Sequence, residues 1–211
     1  METLTVRGDD PAPEAVARAV ELLRGGHLLI YPTDTLYALG GCALDPAPVH
    51  KVRLAKGRDQ AKPLPLIAAD ADQVRALCRV FPPSAERLAA RFWPGPLTLV
   101  LPAAAAVPGE VTAGTGTVAI RIPALALARA LCAAAGPLVS TSANPAGGPL
   151  PVTCQEAVAG VGPSAALALD AGPGQALGST ILDLSVAPPR LLRAGPVSWH
   201  DIEAVSLSRA P

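Results

Sequence analysis

The chain has 211 residues, half of them hydrophobic, which is enough apolar mass for a sizeable core and excludes an intrinsically disordered protein. Lysine and arginine together number 17, as do aspartate and glutamate, so the formal net charge is zero. A neutral chain has no overall electrostatic field that would recruit nucleic acid or a membrane surface.

The cysteines and the N-terminus indicate a soluble, cytoplasmic protein. The four cysteines are widely spaced and form no CxxC pair, so we expect neither a zinc site nor a disulfide framework. The N-terminus lacks a hydrophobic signal core, and proline or arginine interrupts the longest apolar stretches. We therefore expect no secretion signal and no membrane span.

Helix and strand signals follow one another along the first half of the chain. A first helix is predicted in DDPAPEAVARAVELLRGG, where Asp and Pro precede apolar residues at helical spacing and two glycines end the pattern. The buried strand HLLIYPT follows, and DPAPVHKVRLAKG predicts a second helix that Gly57 closes. PLPLIAA is then a strand, and DADQVRALCRV and PPSAERLAARF are helices.

The second half predicts the strands LTLVLP and TVAIRIP, the helix ALALARALCAAAG and the strand PLVS. A helix near 153–159, strands near 165–169, 180–184 and 190–192, and a short helix after His200 complete the pattern. Helices and strands are mixed without strict alternation, and no linker divides them. The sequence thus predicts the α/β class, as one domain over residues 1–211 with a mixed sheet.

A cluster of basic residues stands out in this neutral chain. All three lysines, Lys51, Lys56 and Lys62, fall in KVRLAKGRDQAK with Arg53 and Arg58, and the local charge is +4. A solvated helix face is the ordinary explanation of such a run. Here the cluster continues into a loop before an apolar strand, where α/β sheets bind ligands, so we favour an anion site for phosphates. Neither Lys56 nor Arg58 is expected to be a core residue.

Two further segments leave alternatives open. In YPTDTLYALG, Thr35 and its neighbours either form a turn that caps a helix or face a small polar ligand. In TVAIRIP, Arg121 interrupts an apolar strand, and burying it without a partner would be very costly. Its partner is water at a sheet edge, a structural carboxylate, or the carboxylate of a ligand.

Strand ends supply the remaining candidates. In GPLVSTSANPAGG, an apolar run leads into Ser140, Ser142 and Asn144, and the two serines share a face if the backbone is extended. GSTILDL contributes Ser179, and RLLRAG contributes Arg193. Neither a P-loop, a GxGxxG loop, an HExxH pair nor a GxSxG elbow is present in the sequence, so triad or metal-cage catalysis has no support.

Five motifs in order, YPTDTLYALG, KGRDQAKPL, AIRIP, STSANPAGG and GSTILDL, resemble the YrdC-like family of L-threonylcarbamoyladenylate synthases over about residues 28–193. The resemblance implies one YrdC-like domain, a twisted mixed sheet flanked by helices around a concave, positively charged cavity. It implies that ATP, L-threonine and bicarbonate give L-threonylcarbamoyl-AMP and pyrophosphate, with Mg²⁺ accompanying ATP. The product would serve tRNA N6-threonylcarbamoyladenosine formation through a separate transferase complex, with at most weak direct contact to tRNA.

The resemblance also assigns roles to individual residues. The family's Lys-x-Arg and Ser-x-Asn signature implies catalytic roles for Lys56, Arg58, Ser142 and Asn144. Contacts to ATP are implied for Arg58, Lys62, Thr117, Ser142 and Arg193. Contacts to threonine are implied for Thr35, Arg121, Ser140 and Ser179. No metal site formed by the protein alone is implied.

Two features depart from the family pattern, and two other functions compete with it. Ile67 stands where many relatives have histidine, and the chain ends at Pro211, like the short, single-domain branch.

An RNA-binding module without adenylylation activity is the main alternative. Such a module would pair basic residues with exposed aromatics, yet only 3% of this chain is aromatic. The second alternative is the carbamoyl-adenylate chemistry of hydrogenase-maturation proteins. Those chains are much longer and carry zinc-finger-like cysteine motifs, which this sequence lacks.

Overall fold

Two β-sheets form the framework of the computed structural model, which describes residues 1–57, 62–175 and 177–207. For residues 206 and 207 only the backbone is described. Most strands are short, and several contain only two residues. The strands of the described chain are, in order, β1 (Glu2–Thr5), β2 (Leu29–Pro32), β3 (Tyr37–Gly40), β4 (Leu66–Ile67), β5 (Leu97–Pro102), β6 (Thr117–Arg121), β7 (Leu138–Val139), β8 (Thr141–Ser142), β9 (Leu167–Asp170), β10 (Thr180–Asp183) and β11 (Arg190–Arg193).

The helices begin and end close to the predicted positions, except that the short helix Gly109–Thr112 was not predicted. Asp45 caps the second helix, because its carboxylate accepts the backbone N–H of Ala47 at 2.9 Å, and Gly57 ends it as predicted. The helices of the described chain are α1 (Pro13–Arg24), α2 (Pro46–Lys56), α3 (Ala71–Leu77), α4 (Pro83–Phe92), α5 (Gly109–Thr112), α6 (Ala126–Ala135), α7 (Cys154–Val161) and α8 (Trp199–Leu207).

Both sheets combine parallel and antiparallel strands. The first has the order β1-β9-β2-β3-β8, and the second has the order β11-β10-β5-β6-β4-β7. In the first sheet β9 is parallel to β1 and β2, whereas β3 is antiparallel to β2 and β8. In the second sheet β5 is parallel to β10 and antiparallel to β6. The predicted α/β class and mixed strand directions are confirmed, but the strands are divided over two sheets.

Three strands of the first sheet, β1, β3 and β8, were not predicted from the sequence. The segment YPTDTLYALG is a hairpin: β2 and β3 pair antiparallel from Leu29↔Gly40 to Pro32↔Tyr37, and Thr33 begins the turn between them. Strand β1 is mostly exposed and pairs in parallel with β9. An exposed strand need not alternate apolar and polar residues, so its sequence carries no strand period.

The chain passes from one sheet to the other at Ser140. Strand β7 belongs to the second sheet and β8 to the first, and Ser140 is the single residue between them. Its backbone N–H donates to the oxygen of Pro65 at 2.8 Å, while the N–H of Val139 donates to Gly41 at 3.0 Å. The polar segment that follows GPLV therefore lies where the two sheets meet.

The two sheets share a hydrophobic core. The largest cluster of buried apolar residues includes Ile30 and Leu39 of the first sheet together with Leu66 and Ile120 of the second. Burial of aliphatic side chains between these elements supplies the main stabilising free energy, since aromatic residues are scarce. Among the helices of the described chain, none is long and apolar enough to cross a membrane.

Candidate active site

A cavity of about 600 Å³ opens between strands of the two sheets. Its volume is in the range of small-molecule sites. The charged side chains among its described lining residues are three arginines and one aspartate. The polar residues lining it are Thr33, Thr35, Thr98, Thr115, Thr117, Arg121, Ser140, Thr141, Ser142, Ser179, Asp183, Ser185, Arg190 and Arg193.

Arg121, on β6, is the most buried of the three arginines, with only 5% of its surface exposed. Its Nη1 donates to Oδ1 of Asp34 at 2.7 Å and to the backbone oxygen of Gly95 at 3.3 Å. Its Nη2 donates to Oγ1 of Thr35 at 3.0 Å. The sequence left three kinds of partner open, and the structure supplies the structural carboxylate.

The turn between β2 and β3 holds Thr35 in place. The hydroxyl of Thr33 accepts the backbone N–H groups of Thr35 and Leu36, both at 3.2 Å, and lies 3.0 Å from the Thr35 hydroxyl. The N–H of Thr33 also donates to the oxygen of Leu36 at 3.1 Å. The alternative of a turn that caps a helix is wrong, because this turn joins two strands, and it presents Thr33 and Thr35 to the cavity.

Arg193, the last residue of β11, and Ser179, which directly precedes β10, form a second polar group. Nε of Arg193 donates to the backbone oxygen of Ser179 at 2.8 Å, and Nη2 donates to its hydroxyl at 3.0 Å. That hydroxyl also lies 2.7 Å from Oγ1 of Thr98 on β5. Partial burial and the positive charge of Arg121 lower the pKa of Arg193, so the two guanidinium groups sense each other electrostatically.

Lys56 is a buried residue, with 3% of its surface exposed, and the expectation that it lies outside the core is wrong. Its Nζ donates to the backbone oxygens of Ser142 and Asn144, both at 2.6 Å, and to Oδ1 of Asn144 at 2.8 Å. It also lies 3.2 Å from the Ser142 hydroxyl. The ammonium group thus joins the end of α2 to the end of β8 and to Asn144 beyond it. The oxygens that accept its hydrogen bonds compensate for the cost of burying its charge.

The structure brings most of the candidate residues to the cavity. Those that line it are Thr35, Thr117, Arg121, Ser140, Ser142, Ser179 and Arg193. Lys56 and Asn144 lie beside it in the interaction just described, and Asn144 lines a smaller neighbouring pocket. Lys62 is exposed next to the lining residue Pro63. Arg58 lies outside the described residues, and the predicted roles of all these residues stay predictions.

Three residues of the site were missed from the sequence. Asp34 pairs with Arg121, Thr98 contacts Ser179, and Asp183 is the acidic residue among the described lining. A carboxylate is a preferred partner of a buried arginine, so the burial expected for Arg121 pointed to a nearby acidic residue such as Asp34. A single threonine in the strand LTLVLP gave no comparable signal, because strands commonly contain threonine.

The fold and the site define an α/β protein with a polar, arginine-lined cavity at the junction of two mixed sheets. Residues 21–195 match the sequence model of the Sua5/YciO/YrdC family, which is described as "Telomere recombination". The chain belongs to this family.

Relatives and one solved structure extend the comparison. A Bacillus subtilis threonylcarbamoyl-AMP synthase is 40% identical over 90% of this chain, which spans 56% of that protein. A Mycobacterium tuberculosis protein, provisionally given the same name, is 36% identical over 97% of this chain and 94% of its own length. The crystal structure of Pyrococcus abyssi Sua5 complexed with L-threonine superimposes with a TM-score of 0.93 at 36% identity. That match covers 97% of this chain and 61% of the Sua5 chain.

Proposed function

We propose that this chain is a threonylcarbamoyl-AMP synthase, which converts L-threonine, bicarbonate and ATP into L-threonylcarbamoyl-AMP and pyrophosphate. The observation that carries the proposal is the buried guanidinium of Arg121, which lines a polar cavity together with Thr35 and Ser179. Relatives named for this activity, and a related structure that contains L-threonine, support it.

The amino acid would bind at the Arg121 end of the cavity. A guanidinium is the preferred partner of a carboxylate, and a charge-assisted pair is strongest where solvent is excluded. The hydroxyls of Thr35, Ser140 and Ser179 line the same cavity; they can accept hydrogen bonds from the ammonium group of threonine, and accept from or donate to its hydroxyl group. Ile67 adds an apolar wall to this site.

The nucleotide would extend toward the mouth of the cavity. Arg193, Thr117 and Ser142 line the cavity. Arg58 and Lys62 belong to the basic segment of the sequence that precedes the lining residue Pro63. Arginine and lysine at the phosphates would stabilise the charge that develops on the α-phosphoryl group and on pyrophosphate.

Magnesium would accompany the triphosphate. Mg²⁺ is usually held by one or two carboxylates, by phosphate oxygens and by water. The carboxylate of Asp183 lines the cavity, but it accepts hydrogen bonds from Ser185 and pairs with Arg190, so the ion would be held mainly by phosphate oxygens and water. The ion would supply charge neutralisation at the phosphates.

The chemistry requires no nucleophile from the protein. The threonine ammonium first loses a proton to solvent. The neutral amine then attacks the carbon of bicarbonate, hydroxide leaves with a proton from the amine as water, and N-carboxythreonine forms. Its new carboxylate oxygen then attacks the α-phosphorus of ATP, the bond to the β-phosphate oxygen breaks, and pyrophosphate departs. Arg121 and the hydroxyl groups hold the amino acid so that the two reacting groups stay adjacent. Catalysis is thus by positioning and electrostatic stabilisation.

The product is a mixed anhydride that transfers its carbamoyl group to an amine. We infer that it serves N6-threonylcarbamoyladenosine formation on tRNA in the cytoplasm, through a separate transferase complex, with at most weak direct tRNA contact. No described lining residue of the cavity is aromatic, which disfavours the alternative of an RNA-binding module that stacks bases.

The proposal is tested by pyrophosphate release from purified protein with ATP, bicarbonate and Mg²⁺, with and without L-threonine. We expect release only with threonine, and threonylcarbamoyl-AMP in the reaction by mass spectrometry. Bicarbonate-depleted buffer and L-serine in place of threonine are the controls. Threonine-independent release, or none at all, overturns the proposal. Binding of RNA without turnover of ATP would favour the alternative.

A further inference from the structure

We propose that Asp34 is a positioning residue: it fixes the guanidinium of Arg121 in the orientation that receives the carboxylate of the amino acid. The inference rests on the proposed function, because it takes Arg121 as the carboxylate ligand. Asp34 does not line the cavity, whereas Arg121 does. Asp34 would therefore act through Arg121 rather than on the substrate.

The pair joins the two sheets across the site. Asp34 lies in the turn between β2 and β3 of the first sheet, and Arg121 ends β6 of the second. Their side chains are 13% and 6% exposed, and the contact is 2.7 Å long. A buried ion pair with so short a contact restricts the rotation of both side chains, because the low surrounding dielectric strengthens the attraction between their charges.

Three protein contacts define one orientation of the guanidinium. Asp34 and the oxygen of Gly95 hold Nη1, and Thr35 holds Nη2. The guanidinium is planar and presents its donors in a fixed fork, so contacts at both Nη atoms determine its plane. Of these three acceptors only Asp34 carries a charge, and it makes the shortest contact.

The turn that carries Asp34 is itself fixed. The Thr33 hydroxyl accepts the N–H groups of the two residues that follow Asp34, Thr35 and Leu36. The position of Asp34 is thereby set before any ligand binds. Preorganisation of this kind improves affinity, because less conformational freedom is lost on binding.

The arrangement is not optimal for stability. Oδ2 of Asp34 is buried without a hydrogen-bond partner in the described structure. A buried carboxylate oxygen without a partner costs free energy, and buried ion pairs seldom stabilise a fold more than apolar residues would. Departures from local optimality of this kind are expected at functional sites.

Two physical effects oppose each other when Asp34 is neutralised. Loss of the charged contact frees the guanidinium, which weakens carboxylate binding. Loss of a negative charge beside the carboxylate site removes repulsion, which strengthens it. Positioning requires that the first effect is larger, so the sign of the change in threonine affinity decides the matter.

The first experiment measures L-threonine binding by calorimetry and the KM values for threonine and ATP. We expect Asp34→Asn to weaken threonine binding by about tenfold, because a neutral acceptor holds the guanidinium less firmly. We expect the KM for ATP to change by less than about twofold. Asp34→Glu keeps the charge but lengthens the side chain, so it should fold and also bind threonine more weakly. Unchanged or tighter threonine binding by both variants overturns the proposal.

Glu86→Gln is the matched control. Glu86 pairs with Arg75 at 2.9 Å on exposed helix surfaces and does not line the cavity. The variant therefore removes the carboxylate charge from an arginine pair that lies outside the site. Its affinity for threonine should equal that of the wild type. A comparable loss of affinity in this variant would mean that any such loss reflects general destabilisation, and would overturn the proposal.

A second experiment reads the position of Arg121 without any substrate. In ¹⁵N NMR of arginine side chains, restricted rotation gives separate Nη signals, and Arg121→Lys identifies those of Arg121. We expect separate signals in the wild type and averaged signals in Asp34→Asn. Averaged signals in the wild type overturn the positioning role. If instead threonine-dependent pyrophosphate release is absent from the wild type, the proposed function fails while this measurement still decides whether Asp34 orders Arg121.

Discussion

Nζ of Lys56 donates to both the backbone oxygen and the side-chain oxygen of Asn144, at 2.6 and 2.8 Å, from the last residue of α2. The interaction connects the basic segment of the sequence to the polar segment that follows β8. Two motifs that are far apart in the chain thus form one structural unit beside the cavity.

Replacing Lys56 with Met should destabilise the fold. The substitution leaves buried carbonyl oxygens of Ser142 and Asn144 without their charged donor, and we expect the free energy of unfolding to fall by about 2–4 kcal/mol. Urea denaturation followed by circular dichroism measures the change. Lys51→Met is the control, because Lys51 lies on the exposed face of α2 with a contact to Gly26; it should cost less than about 1 kcal/mol. If Lys56→Met is instead as stable as the wild type but inactive, Lys56 would act by contacting the phosphates of ATP.

Gly40→Ala tests the close approach of the two sheets. A Cβ built on Gly40 would lie 1.7 Å from the backbone oxygen of Val139, just before the crossover at Ser140. Backbone on both sides cannot move without breaking strand pairing, so we expect a loss of more than about 3 kcal/mol or failure to fold. Scanning calorimetry of this variant beside Gly109→Ala provides the comparison. Gly109 has open space around it and should change stability by less than about 1 kcal/mol.

Gly178→Ala should impair nucleotide binding without unfolding the protein. Its Cβ would lie 3.0–3.2 Å from the guanidinium atoms of Arg193, and the end of a flexible side chain can move away. If Arg193 contacts ATP, the displacement raises the KM for ATP by about fivefold, which corresponds to about 1 kcal/mol. Steady-state pyrophosphate release at varied ATP and varied threonine separates the two KM values. A rise in the threonine KM alone would contradict the assignment of Arg193 to the nucleotide.

The Cys78 thiol should make stability fall at alkaline pH. Burial raises its pKa from 9.0 to about 11, so between these values the unfolded chain loses a proton that the folded chain keeps. The contribution is fully present below about pH 9 and is lost as the pH rises through about 11. Urea denaturation at several pH values from 8 to 11 should show a steeper decline for the wild type than for Cys78→Ala. Parallel curves for the two proteins would refute the pKa shift.

The chain's local pattern determined most of its secondary structure and marked several of the residues that line the cavity. Capping residues, helical spacing and terminal glycines predicted the longer helices, since these signals act over a few residues. Polar residues at the ends of apolar strands marked Thr35, Ser140 and Ser179, and an arginine within an apolar strand marked Arg121. The α/β class followed from the mixture of elements.

Only the tertiary structure decided how these pieces meet. The strands are divided over two sheets, and the chain passes between them at Ser140. Ser142 and Asn144, which contact Lys56, and Asp34 and Thr35, which contact Arg121, lie 86 to 88 residues away from these partners in the chain. Whether a lysine contacts solvent, a phosphate or a carbonyl depends on what the fold places within about 3 Å of it. Local sequence specifies which groups need partners, because desolvation cost is a property of the side chain. Which partner satisfies each group depends on long-range packing.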